Sequence, residues 1–93
     1  MRERTIEQKF VAVVKAVGGL ALKFTSPGFD GVPDRIVLLP GGKVAFVEVK
    51  APGEKPRPLQ LARHRLLWRL GFRVYVLDDE SQIGGIVDEI QST

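Results

Sequence analysis

The sequence has no cysteine in 93 residues, which excludes a disulfide framework and a thiolate zinc site. The redox compartment is therefore undetermined, and nothing in the composition points outside the cell. No apolar run approaches the roughly 20 residues needed to span a bilayer, and the first residues carry no signal-peptide apolar stretch. A single histidine, His64, gives little support to a histidine metal site or a Ser–His–Asp triad. No glycine-rich fingerprint joins a strand to a helix, so a dinucleotide-binding unit is excluded. Residues 78–93 lack Lys and Arg altogether and carry five acids.

That last absence concentrates positive charge elsewhere. All 14 Lys and Arg lie in residues 1–77 against six acids there, so the net charge of +3 hides a local excess of +8. A polyanionic partner, nucleic acid first, is the natural reading, although a modest basic excess also serves solubility. The apolar fraction of 44% suits a folded chain. The length gives one domain, residues 1–93, near the lower limit for a core without a staple.

Hydrophobic spacing predicts the elements. Thr5 and Gln8 fit a capping box, and Ile6, Phe10, Val13, Val14 and Val17 follow at helical spacing up to Gly18-Gly19. Residues 20–25 form a strand, and residues 26–33, rich in Gly and Pro, form a loop. Residues 34–39 and 44–50 are strands around a hairpin turn. A loop with three prolines leads to a helix starting near Pro58 or Leu59, whose expected core face is Leu59, Ala62, Leu66 and Leu70. Gly71 stops it, residues 72–77 form a strand, and a last helix occupies about 80–91. The fold class is α/β: a mixed sheet flanked by helices, in the order α-β-β-β-α-β-α. Strands 44–50 and 72–77 should be parallel neighbours across a βαβ crossover.

A three-residue turn at Pro40-Gly41-Gly42 pairs Leu39 with Lys43, Ile36 with Phe46, and Asp34 with Glu48. Opposed residues share a face, so the two carboxylates stand with β-carbons about 5 Å apart. Lys50 lies two residues past Glu48, on that same face. Facing carboxylates on a half-buried sheet repel. Either Lys50 neutralises them, or both sit at a solvated strand end, or a divalent hard cation, Mg²⁺ or Mn²⁺, sits between their oxygens. The main-chain carbonyl of Val49 offers another ligand, and Lys50 is placed to act on an attacking water or on phosphate charge. These parts suffice for phosphodiester hydrolysis.

Val32-Pro33-Asp34, with Glu48-Val49-Lys50 beginning fourteen residues after the aspartate, resembles the PD-(D/E)xK pattern of the restriction-endonuclease-like superfamily. The fuller resemblance is to the VRR-NUC family, the virus-type replication-repair nucleases, particularly their small stand-alone phage members. Glu7, Gly31-Val32-Pro33-Asp34-Arg35, Glu48-Val49-Lys50 and Gln60 carry it, across residues 7 to about 77. The resemblance implies a restriction-endonuclease-like core and a metal-dependent DNA endonuclease of replication and repair. In that reading Asp34, Glu48 and the Val49 carbonyl bind Mg²⁺ or Mn²⁺, and Lys50 is the catalytic lysine. Glu7 binds the metal directly or through water, and Gln60 orients water, phosphate or Lys50. The partner is DNA, branched or flapped. The molecule is a homodimer like the Holliday-junction resolvases, in the cytoplasm of a bacterial host if phage-encoded, with no membrane.

Plainer readings stand beside these. Glu7 also suits the first helical turn as an acid near the dipole, and Gln60 a helix start. His64 reads as a surface residue. Arg57, Arg63, Arg65, Arg69 and Arg73 surround the second helix and can neutralise phosphates without reading sequence. Leu61, Leu67 and Trp68, which lie off its expected core face, and the hydrophobic positions of the glycine-containing last helix are candidates for a subunit interface. A non-catalytic nucleic-acid-binding module on the same fold is the alternative function.

Overall fold

Ile6, Phe10 and Val14 recur every fourth residue, and in the computed structural model, which describes residues 1–93, all three are fully buried. They form the inner stripe of α1 (Glu3–Ala16). The helix starts two residues before the expected Thr5 cap, with Arg2 at the N-cap position and no side chain capping it. Thr5 instead occupies the first turn.

Four strands follow, β1 (Leu20–Lys23), β2 (Arg35–Leu39), β3 (Lys43–Val49) and, after α2 (Pro58–Arg69), β4 (Arg73–Leu77). A single 3-10 turn at Glu80–Gln82 leads into α3 (Ile83–Gln91). The sheet order is β1-β2-β3-β4, antiparallel at the first two junctions and parallel between β3 and β4. This is the α-β-β-β-α-β-α order and mixed sheet that the hydrophobic spacing predicts.

The hairpin register is the predicted one, with Leu39 opposite Lys43 and Ile36 opposite Phe46. Gly41 (φ +87°) and Gly42 (φ +74°) both take the left-handed conformation in the turn, which a side chain would resist. Register fixes which residues meet at the far end of β2 and β3, so this small turn sets the geometry of the site.

The two faces of the sheet differ. On one, α1 and α3 enclose Ala21, Val37, Leu39, Ala45, Val47, Val49 and Leu77 in a single apolar core. On the other, α2 lies over β3 and β4, while Leu20 and Leu22 of β1 remain 55% and 44% exposed. Phe46 anchors this second face, 5.4 Å from the Phe24 ring and 5.8 Å from that of Phe72.

The face of α2 differs from expectation. Leu59 and Leu70, assigned to the core by spacing, are 45% and 64% exposed. The buried residues of the helix are Gln60 and His64. Their sheet-side neighbour is a buried carboxylate, Glu48, and polar groups are what that neighbour requires. His64 is accordingly an interior residue and not the surface residue that its isolation suggested.

Candidate active site

The loop before β2 is locked to α2, and this fixes the approach to Asp34. Gly31 has φ +89°, and a β-carbon there would lie 2.9 Å from Leu59 Cγ, so neither the conformation nor the space admits a side chain. Arg63 completes the clasp. Its Nε donates to the Asp30 carbonyl at 2.7 Å, and its guanidinium lies 3.8 Å above the Phe29 ring. Pro33 is fully buried just before the aspartate.

Asp34 stands one residue before β2, where the β2–β3 ladder gives way to a side-chain contact. Its carboxylate accepts the Val49 main-chain N–H at 2.7 Å, while its own carbonyl accepts the Phe24 N–H. Glu48 is the residue that faces it across the extended register, and its side chain is 1% exposed. Lost solvent, and then the charge and hydrogen bonding of Glu48, push the Asp34 carboxyl from 3.8 up to about 7, against the pull of the Val49 hydrogen bond.

Glu48 is held at both oxygens. Gln60 Nε2 donates to Oε2 at 3.2 Å, and His64 Nε2 is 3.4 Å from Oε1. The Gln60 carbonyl oxygen accepts from the Arg57 N–H at 2.8 Å, so one side chain both starts α2 and steadies the carboxylate. Lys50 Nζ is 4.0 Å from Glu48 Oε2. Each carboxylate oxygen accepts along two directions, so these partners leave lone pairs of Glu48 free.

Glu7 is not gathered into this group. Its carboxylate accepts from Arg35 Nε at 2.8 Å, and Arg35 also donates to the Ala21 carbonyl at 3.0 Å. No three His, Cys, Asp or Glu side chains stand close enough together to hold a metal. Glu7 does line, with Glu3, Lys23 and Asp34, the hollow of about 230 Å³ that gives access to Asp34. Among the arginines around the second helix, Arg63 is held by the loop and Arg73, at the start of β4, by Glu89 at 2.9 Å. Arg57, Arg65 and Arg69 are exposed.

The donor set suits a hard divalent cation better than a soft one. Two carboxylates and a main-chain carbonyl offer only oxygen donors, with no thiolate and with the one imidazole turned to Glu48. Mg²⁺ commonly takes one or two carboxylates and completes its shell with water and phosphate. An aspartyl group raised by burial and then by a neighbouring carboxylate is the electrostatic condition that such a cation would relieve.

A mixed sheet between two helical layers, with converging carboxylates and a lysine at adjacent strand ends, defines a restriction-endonuclease-like nuclease core. Comparison with known proteins narrows this. A solved structure described as "VRR_NUC domain" superposes with a TM-score of 0.87 at 33% identity, covering 92% of this chain and 94% of its own. "Putative nuclease p44" of Acyrthosiphon pisum secondary endosymbiont phage 1 is 56% identical over 80 residues, 86% of each chain. No family model matches the sequence. The chain belongs to the VRR-NUC family and is a nuclease.

Proposed function

We propose that the protein is a metal-dependent DNA endonuclease in which Asp34 and Glu48 hold Mg²⁺ or Mn²⁺ beside Lys50. The observation that carries this reading is the pairing of two carboxylates at neighbouring strand ends, where burial and then the neighbouring charge push the Asp34 carboxyl up. A divalent ion held there, with the Val49 carbonyl as a further ligand, would bind phosphate oxygens and acidify a water.

The chain supplies the rest. Gln60 and His64, one on each oxygen, hold the orientation of the Glu48 carboxylate. The Lys50 ammonium offsets charge on the phosphate as the water oxygen, giving up its proton to solvent, bonds to phosphorus. The bond from phosphorus to the leaving sugar oxygen then breaks, and that oxygen takes a proton from solvent. Glu7 acts on the mouth through Arg35 and water, not as a direct ligand.

The substrate is DNA, with preference for branched, four-way or flapped forms, and two copies pair to cut it. Leu20, Leu22, Leu61, Trp68, Leu70 and Phe72 are all at least 39% exposed, apolar side chains available to a second copy. By analogy with its phage-encoded relative, the protein works in the cytoplasm of a bacterial host.

Labelled duplex, nicked, flapped and four-way DNA, each with Mg²⁺, Mn²⁺ or chelator, test this together. Cleavage is expected with metal only, and fastest on branched forms. Binding of every form without cleavage of any would favour the non-catalytic module. Light scattering should return about twice the 10.3 kDa chain mass, and a 10 kDa particle would refute the dimer.

A further inference from the structure

Beside the mouth at Asp34 lies a second concavity, of about 540 Å³, between α1 and the edge strand β1. It is lined by Arg4, Glu7, Gln8, Val11, Lys23 and Arg35, and it shares Glu7 and Lys23 with the mouth. The two hollows therefore adjoin at Glu7 and Lys23, and together they extend from Asp34 along the outside of α1.

Charge is ordered along this groove. The end near Asp34 carries Glu3 and Asp34 itself, where a cation is welcome and a bare phosphate is not. Further along, Glu7 and Arg35 neutralise each other in the floor at 2.8 Å. Arg4 and Lys23 meet no carboxylate within 4.0 Å, since the acids with partners pair with Lys9, Arg35, Lys50, His64 and Arg73. Both are exposed, so their charges face solvent from the two walls of the groove. Val11 is half-buried and gives the floor an apolar spot where a sugar or base can rest. Acid at the reaction point and unpaired cations just beyond it match one strand of a polynucleotide, whose phosphates continue past the scissile bond. The volume lies within the roughly 300–1,000 Å³ of small-ligand sites, enough to seat a local piece of the strand.

We propose that this α1–β1 groove binds the phosphodiester backbone of the substrate strand on one side of the scissile phosphate, through Arg4 and Lys23. The inference rests on the nuclease acting at Asp34 and Glu48, and adds a track that this chemistry alone does not require. Its consequence is that nucleotides on one side of the cleaved bond contribute to affinity.

The test is equilibrium binding of a fluorescein-labelled 12-nucleotide single strand, by anisotropy, in chelator. For wild type, log K falls linearly with log salt. The Arg4→Ala/Lys23→Ala variant should lose two contacts of about 0.7 each, flattening the slope by about 1.4. The Arg4→Lys/Lys23→Arg variant keeps both charges and should keep the slope. Because the chain has no cysteine, Gln8→Cys can be labelled uniquely in the groove. Its emission should change when an unlabelled 12-mer saturates the protein. An unchanged slope in the alanine variant, or a silent Gln8 probe while the 12-mer binds, would overturn the proposal. Cleavage is scored separately on the same protein with Mn²⁺. If the groove responds as described and no DNA is cut, the groove stands and the catalytic reading falls.

Discussion

Replacing Asp34 by asparagine should stabilise the metal-free protein at pH 8. In the native state the carboxyl titrates at about 7, against about 3.9 in an unfolded chain. A raised native value means that the folded state binds the proton more tightly than the unfolded one. That contribution is fully present below about pH 4 and is lost as the pH rises through about 7, so at pH 8 the ionised, part-buried Asp34 opposes folding. Three pH units correspond to about 4 kcal/mol at most. Asp34 is part-exposed, and solvent screening reduces this to about 2 kcal/mol. Asparagine keeps an oxygen that can accept the Val49 N–H and removes the charge. Urea unfolding followed by circular dichroism, in chelator, should therefore show Asp34→Asn more stable by about 2 kcal/mol at pH 8, equivalent to about 8–16 °C in Tm. Near pH 4 the difference should vanish. A variant equal to or less stable than wild type at pH 8 would refute the electrostatic reasoning.

Lys50→Ala should reduce single-turnover cleavage by about 10²–10³-fold while Mn²⁺ affinity stays near wild type. Cleavage within a few-fold would make the lysine a counter-charge to Glu48 only. His64→Phe keeps volume but removes the donor to Glu48, and should weaken Mn²⁺ binding by about 10–100-fold with the fold retained by circular dichroism. Gly31→Ala should cost about 2–3 kcal/mol in urea unfolding, from both the positive φ and the contact with Leu59. Gly28→Ala, with φ +80° but open space around it, should cost about 1 kcal/mol.

Much of this geometry was legible in the sequence because it depends on local rules. The Pro40-Gly41-Gly42 turn sets a register, and the register carries Asp34 to Glu48 and leaves Lys50 beside it. The α2 face was not legible. Spacing assigns Leu59, Ala62, Leu66 and Leu70 to the core, yet the helix turns Gln60 and His64 inward. Periodicity counts apolar residues and has no term for a buried carboxylate that needs donors. The one available signal was the four-residue separation of Gln60 and His64, which places two hydrogen-bonding side chains on one face of a helix. The Glu7–Arg35 pair was equally hidden, because its partners are 28 residues apart and meet only when α1 packs on β2. Arg63 shows the opposite error. Counted among the phosphate-neutralising arginines, it is engaged by Phe29 and the Asp30 carbonyl, and serves the loop that presents Asp34.

The central claim is that Asp34 and Glu48 together form a divalent-metal site on which cleavage depends. Isothermal titration of Mn²⁺ into wild type, Asp34→Asn and Glu48→Gln at pH 8 tests it most directly. The account predicts one tight site per chain in wild type and its loss in both variants, each still folded by circular dichroism. Unchanged Mn²⁺ affinity in folded Asp34→Asn would contradict it.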